Sequence, residues 1–276
     1  MILVTGATGT IGRHLVATLN AEGAAVRAIS RTAGAVDGVS VHPDVEGVLR
    51  SAAPGEIDAL FLHPRVAGER APEILALAAE RGVRRAVVLS AMNVDDPLEE
   101  QPSRLAGDRN RELDRAAAAS GLEWASLRAS SFASNTIRAF APQLRFGEVV
   151  RYPFRGFEES LIDERDVAEV AARALLGEAD GILELTGPQS LTHGEQVATL
   201  AAVLSRPLRF EEVPPEAAAA QMTQRGMPAA FVEALMARYR RHLAGPQHPP
   251  TTVVEEILKR PARPFARFVA EHRERF

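Results

Sequence analysis

The chain has 276 residues, 46% of them apolar and 25% charged, which is enough apolar material for a sizeable core and excludes disorder along its length. Its 32 basic and 36 acidic side chains leave a formal charge of −4, against the basic excess of a dedicated nucleic-acid binder. With no cysteine, disulfides, thiolate metal sites and cysteine nucleophiles are excluded as well.

Ile2 to Thr5 reads as a buried strand, and Ile11 to Ala21 as a helix with Ile11, Leu15 and Leu19 on one face. Ala25 to Ser30 is a second strand, Val39 to His42 a weak third, and Leu60 to Leu62 a fourth. Arg70 to Arg81 is helical, and Ala86 to Ser90 forms a fifth strand. The spacing predicts one long helix from about Ser103 to Ala119, stopped by Gly121, before a sixth strand from Glu123 to Leu127 around the sole Trp124. Strands separated by helices of this length imply parallel pairing through crossovers. The expected fold is therefore α/β, a Rossmann-type doubly wound parallel sheet.

After Arg128 the pattern loosens, and Phe132, Phe140, Phe146, Tyr152, Phe154 and Phe157 crowd an irregular stretch. Asp166 to Leu176 is again helical, and Ile182 to Leu185 is a last sheet strand. Thr192 to Glu195 fits a capping box that opens a helix to Leu204. Pro214-Pro215, Pro228 and Pro249-Pro250 punctuate short helices thereafter. The expected division is a dinucleotide-binding core over residues 1–130, with 161–190 returning to it. A smaller, mostly helical substrate lobe takes residues 131–160 and 191–276.

The strongest motif is the turn from Thr5 to Gly12. It lies between the first strand and the first helix, where a dinucleotide's diphosphate needs bare backbone and free helix N–H groups. Gly6 permits the tight turn, Gly9 the approach of phosphate, and Gly12 close packing of helix on strand. Gly6, Thr8, Gly9, Thr10, Ile11 and Gly12 are the cofactor-binding candidates here. The spacing is G-x-x-G-x-x-G. With it, the chain resembles the atypical short-chain dehydrogenase/reductases, in particular the NmrA-like NAD(P)-binding family. The likeness extends through Val87 to Ser90, Ser120 to Trp124, Glu164 to Ala168 and Leu185 to Pro188.

An NAD-preferring site places an acid at the end of the second strand, and none stands between Glu22 and Asp37. The strand ends instead in Ile29-Ser30-Arg31-Thr32. A guanidinium suits the extra phosphate of NADPH, so Arg31 is the expected reader, with Ser30 and Thr32 beside it. The resemblance places Asp44 next to the adenine; as a residue on its own it reads equally as a helix cap.

Short-chain reductases of the ordinary kind use Tyr-x-x-x-Lys. Here the only tyrosines are Tyr152 and Tyr239 and the only lysine is Lys259, so no such pair exists. By resemblance the lysine position falls on Asn110, which offers a hydrogen bond to ribose without a charge, and the tyrosine position on Ala106. The family's hydroxyl falls nearer Met92 than Ser90; Ser90 either contacts nicotinamide or caps the next turn. His63 ends the neighbouring strand, as a proton shuttle or as a ring packed beside Pro64. The other histidines show no metal spacing, and no metal is expected. No G-x-S-x-G elbow marks a hydrolase.

Two functions follow. One is an NADPH reductase acting on a carbonyl or quinone of a small, planar or aromatic substrate. The alanine- and arginine-rich, GC-biased composition suits a ketoreductase of aromatic polyketide (antibiotic) biosynthesis, and the aromatic stretch is the expected pocket. The other, implied by the resemblance, is an NADP(H)-sensing regulator that would need a partner face, for which the basic runs Arg238 to His242 and Lys259 to Arg267 are candidates. No segment approaches the roughly 18 apolar residues of a membrane span, and Met1 runs into Ile2-Leu3-Val4 without a basic leader. A cytoplasmic monomer or homodimer, bound to neither membrane nor nucleic acid, is expected.

Overall fold

A computed structural model describes residues 1–30, 35–36, 39–243 and 248–276. The chain begins with β1 (Ile2–Thr5), α1 (Thr10–Ala21), β2 (Val26–Ile29), β3 (Ala35–Val36) and β4 (Val39–His42). Next come α2 (Val45–Ser51), β5 (Ala59–Leu62), α3 (Pro64–Ala67), α4 (Ala71–Glu80) and β6 (Arg85–Ala91). They are followed by α5 (Pro102–Leu105), α6 (Asn110–Ala119), β7 (Glu123–Ala129), α7 (Asn135–Leu144), β8 (Val149–Tyr152), β9 (Glu158–Glu159), α8 (Glu164–Leu175) and β10 (Gly181–Leu185). The C-terminal part holds β11 (Leu191–Thr192), α9 (His193–Leu204), β12 (Arg209–Glu212), α10 (Pro215–Gln224), α11 (Ala229–Arg241), α12 (Val253–Leu258) and α13 (Phe265–Glu271).

The central sheet runs β10-β7-β6-β5-β1-β2-β4-β3, parallel throughout except that β3 pairs antiparallel with β4 at the edge. This is the doubly wound Rossmann-type sheet expected from the sequence. Every residue of β1 and β5 is buried, as befits strands covered on both faces. Alternation then sorts their side chains. Val4 and Phe61 face Ile11, Leu15 and Ala171 under α1 and α8, while Leu3, Leu60 and Leu62 face Leu49, Ile74 and Leu113 under α2, α4 and α6.

A third core lies outside the sheet and gathers Phe140, Tyr152, Phe154, Phe157, Leu200, Met236, Tyr239 and Phe268. The aromatic stretch expected to line a pocket is largely spent here. Tyr152 meets Phe140 edge-on at 5.4 Å and His193 at 5.0 Å, and Phe157 packs 4.5 Å from Tyr239. Only Phe146 of that stretch stands out, 93% exposed. The parallel pair β8–β12, which the sequence did not announce, contributes Val150, Tyr152 and Phe210 to this core.

The long helix expected from Ser103 to Ala119 is two helices. Gly107 has φ +97°, a left-handed conformation that ends α5, and the Asp108 carboxylate grips Arg65 through two bonds of 3.1 and 3.2 Å. The chain turns there before α6 begins at Asn110. The capping box at Thr192 forms as expected, with both reciprocal bonds to Glu195 present.

At the start of α8, Asp163 caps the helix by accepting from Arg165 N at 2.9 Å. Glu164 beside it is buried, its Oε1 lacks a hydrogen-bond partner, and burial raises its carboxyl above the usual range. An acid raised on folding adds stability that is complete below its unfolded pKa and is lost as pH rises through the folded one. Glu164→Gln is therefore expected to raise the unfolding midpoint at neutral pH and to lose that gain on acidification. Thermal unfolding across pH checks this; a gain that grows towards acid contradicts it.

Candidate active site

From β1 the sheet grows one way through β2 and β4, and the chain then crosses back to β5 on the other side. The order of strands reverses between β1 and β5, and crevices for ligands open at the carboxyl ends of strands flanking such a point. Thr5 ties the two strand ends together: its Oγ1 donates to the Phe61 carbonyl at 2.9 Å and accepts from His63 N at 2.8 Å.

The glycine turn rises from this tie. Gly6 has φ +66°, which a side chain would strain, and a Cβ there would meet the His63 ring at 3.4 Å. A Cβ on Gly12 would fall on the Gly6 carbonyl and 2.7 Å from Ala7 Cα. Gly9 occupies the cap position of α1, yet no side chain caps the helix and no carboxylate sits in its first turn. Thr8, Thr10 and Ile11 complete the turn, with Ile11 buried and Thr10 exposed. An uncapped helix end with its partial positive charge beside bare glycine backbone fits a diphosphate.

The neighbouring strand end adds hydroxyls. Ser30 closes β2, its N donating to the His42 carbonyl at 2.8 Å, and its Oγ lies 2.6 Å from Thr8 Oγ1. Arg31 and Thr32 lie outside the described residues. Asp44 caps α2, accepting from Glu46 N at 3.1 Å, and Gly47 leaves room for its carboxylate. The geometry of Asp44 is thus that of a helix cap.

His63 and Ser90 hold the carboxyl ends of the next two strands. His63 Nδ1 accepts from Arg65 N at 3.2 Å and caps α3, so the neutral ring keeps its hydrogen on Nε2. Ser90 is only 4% exposed, and its Oγ has no hydrogen-bond partner. It does not cap the following turn. A buried hydroxyl without a partner costs free energy unless something bound to the crevice satisfies it, which fits a nicotinamide cofactor or its acceptor. Met92 is buried and offers no hydroxyl. Asn110 opens α6, and its Nδ2 donates to Ser103 Oγ at 3.3 Å across the break in the expected helix.

Neither tyrosine reaches this edge. Tyr152 and Tyr239 lie hydroxyl to hydroxyl at 3.1 Å in the third core. Burial pushes Tyr152 up to about 12 and Tyr239 well above its ordinary value. Lys259 is exposed at the end of α12. Among the described residues, no group of three His, Asp or Glu is placed to hold a metal.

The basic runs are engaged within the chain. Arg260 and Arg263 pair with Asp166 and Glu169, Arg267 with Glu271, and Arg241 with Glu100. His242 Nε2 lies 3.8 Å from Asp96. Sequence reasoning also missed a cluster just past β7. Arg238 Nη2 donates to Ser131 Oγ at 3.1 Å and Glu159 Oε1 at 3.2 Å, while Ser131 Oγ donates to Glu159 Oε1 at 2.5 Å. These residues come from three distant segments, and no spacing rule connects them.

Fold and site together define an α/β protein built to hold a dinucleotide. Residues 6–178 match the family described as NAD(P)H-binding. The chain belongs to that family, among the NmrA-like atypical short-chain dehydrogenase/reductases. It is 37% identical to a (4-alkanoyl-5-oxo-2,5-dihydrofuran-3-yl)methyl phosphate reductase of Streptomyces griseus, over 100% of this chain and 99% of that one. It is 31% identical to an NAD(P)H azoreductase of Xenophilus azovorans, again over 100% and 99%. The crystal structure of an NADPH-dependent quinone oxidoreductase from Escherichia coli superposes with a TM-score of 0.81 at 22% identity, covering 98% of this chain and 99% of that chain, and shares its fold. No helix among the described residues is long and apolar enough to cross a membrane.

Proposed function

We propose that the protein is an NADPH-dependent reductase that passes a hydride to the carbonyl or quinone of a small, planar, polyketide-type molecule without a Tyr-x-x-x-Lys pair. That it is an NAD(P)H-dependent oxidoreductase follows from its family and from two full-length relatives named as reductases. The observation that carries the reading is the uncapped end of α1 over Gly6, Gly9 and Gly12 at the β1–β5 switch point. The Streptomyces relative is named for a phosphate ester with an oxo-dihydrofuran ring and an alkanoyl group, which supports a polarised carbonyl acceptor.

When bound, the reduced nicotinamide supplies the hydride. The protein's part is to hold and to screen. The turn from Gly6 to Gly12 takes the diphosphate; Ser30, Thr8, Arg31 and Thr32 take the adenosine side with its extra phosphate, and Asp44 lies towards the adenine. Ser90 gives its unpartnered hydroxyl to the nicotinamide or the acceptor, and Asn110 faces the ribose. His63, with hydrogen on Nε2, lies against Gly6 of the turn and relays the proton, together with water or a hydroxyl of the substrate. Residues 131–160 and 191–276 form the substrate lobe.

Mixing the protein with NADPH and a panel of quinones, aromatic ketones and unsaturated lactones, and following the loss of reduced-nicotinamide absorbance, tests the function. Steady turnover is expected; tight NADPH binding with no oxidation across the panel would instead support a sensing regulator. Against that regulator stands the engagement of both basic runs by the chain's own acids. Arg31→Ala is expected to weaken NADPH by about 10- to 100-fold, the worth of charge-assisted bonds to phosphate. NADH affinity should change little, and equal weakening of both refutes the phosphate role.

A further inference from the structure

We infer that Arg238 is the cationic residue that receives the negative charge formed on the acceptor's oxygen, so that the protein favours acceptors whose reduction leaves an oxyanion. This rests on the reductase reading above and adds to it the group that faces the reacting oxygen.

Register places the cluster at the working edge of the sheet. Ser90 on β6 pairs with Arg128 on β7, and Ala91 with Ala129. Ser130 N still bonds the Leu185 carbonyl of β10, and Ser131 follows beyond β7, its carbonyl accepting from Ile162 N, at the carboxyl end that also holds Ser90 and His63. Arg238 reaches this point from α11, 107 residues further along the chain. Its guanidinium stands 5.6 Å over the Phe157 ring, with its charge opposite Glu159.

Both partners of this ion pair are largely buried, at 16% and 11% side-chain exposure. Such a pair is a poor device for stability alone, because desolvation of two charges offsets their attraction. Arg128 is bound by Asp95 and Asp114, and Arg111 by the Val94 and Asp96 carbonyls, whereas Arg238 is bound to Glu159 and Ser131. Arg238 is joined to the Ser131 hydroxyl at the rim, which fixes a cation there.

The chemistry balances. The hydride forms a C–H bond at the electrophilic carbon while the π pair moves to oxygen; the acceptor is reduced and the nicotinamide oxidised. Arg238 stabilises the oxyanion through its N–H groups and remains a guanidinium, and water then supplies the proton. Glu159 and Ser131 act as positioning residues that fix the guanidinium.

Single-turnover oxidation of NADPH by quinones and conjugated enones, graded by the acidity of the reduced product, tests this. Arg238→Gln is expected to slow turnover by about 100-fold, the usual loss of one oxyanion donor, with NADPH affinity within about twofold. The loss should grow as the product oxyanion becomes more basic, Arg238→Lys should recover part of it, and Ser131→Ala should cost less than about 10-fold. An equal loss across the series, a lysine variant no better than glutamine, or unchanged turnover in Arg238→Gln overturns the assignment alone. A wild-type enzyme that oxidises NADPH with none of these acceptors overturns the reductase reading, and this assignment with it.

Discussion

Gly12→Ala is expected to cost about 3 kcal/mol of folding stability, the upper range for overpacking, and to weaken NADPH by about 100-fold or more. The added methyl would land on the Gly6 carbonyl and crowd Ala7 Cα. Both neighbours are backbone, so no flexible side chain yields. Relief comes only by lifting α1 from the turn, which withdraws Ile11 and Leu15 from the core they share with Val4 and Phe61. The same shift moves the amide end of α1 away from the diphosphate site. Denaturant unfolding and a titration of NADPH fluorescence read the two effects separately. Gly9→Ala is a milder control, since its Cβ would stand 3.1 Å from the same carbonyl. Native affinity in Gly12→Ala would contradict the close packing on which the site depends.

Asp166→Ala is expected to destabilise the protein by about 3 kcal/mol, the low end for breaking a buried ion pair because Arg260 and Arg263 keep partial access to water. Asp166 is fully buried and accepts from Arg260 Nη2 at 2.8 Å, from Arg263 N at 2.7 Å and from the Arg263 guanidinium. Its loss takes one acceptor from each of two guanidinium groups, which keep Glu169, and removes the partner of the Arg263 backbone N–H. Because these bonds join α8 to the segment between α12 and α13, the C-terminal helices should open first. Limited proteolysis should then cut near residues 259–264 well before the whole chain unfolds. An unchanged urea midpoint would show that the network contributes nothing.

The sheet was legible because its physics is local. Ile11, Leu15 and Leu19 recur at helical spacing, and unbroken apolar runs at residues 2–4 and 59–62 mark strands covered on both sides. The glycine turn was legible for the same reason, since Gly9 and Gly12 answer to Gly6 and Ala7 only a few residues away and Gly6 to its own positive φ. The third core was not. Residue types told that Phe140, Tyr152 and Phe157 seek burial, but the groups that cover them, His193 and Tyr239, arrive from distant helices. The Arg238–Glu159–Ser131 cluster was hidden likewise, and of the two readings of Asp44 the bond to Glu46 N shows the cap, which leaves its place beside the adenine a proposal. Asn110 falls at the start of a helix rather than inside one, because the apolar rhythm continues across a bend where Arg65, 43 residues earlier in the chain, holds Asp108.

That bend at Gly107 bears on any attempt to rebuild ordinary short-chain reductase chemistry in this scaffold. Ala106 ends one helix and Asn110 begins another, so the two positions do not stack on successive turns. Installing a phenol and an amine there would restore the letters of the familiar pair without its geometry; an engineer would first have to fuse the two helices by replacing the glycine and releasing Asp108 from its arginine.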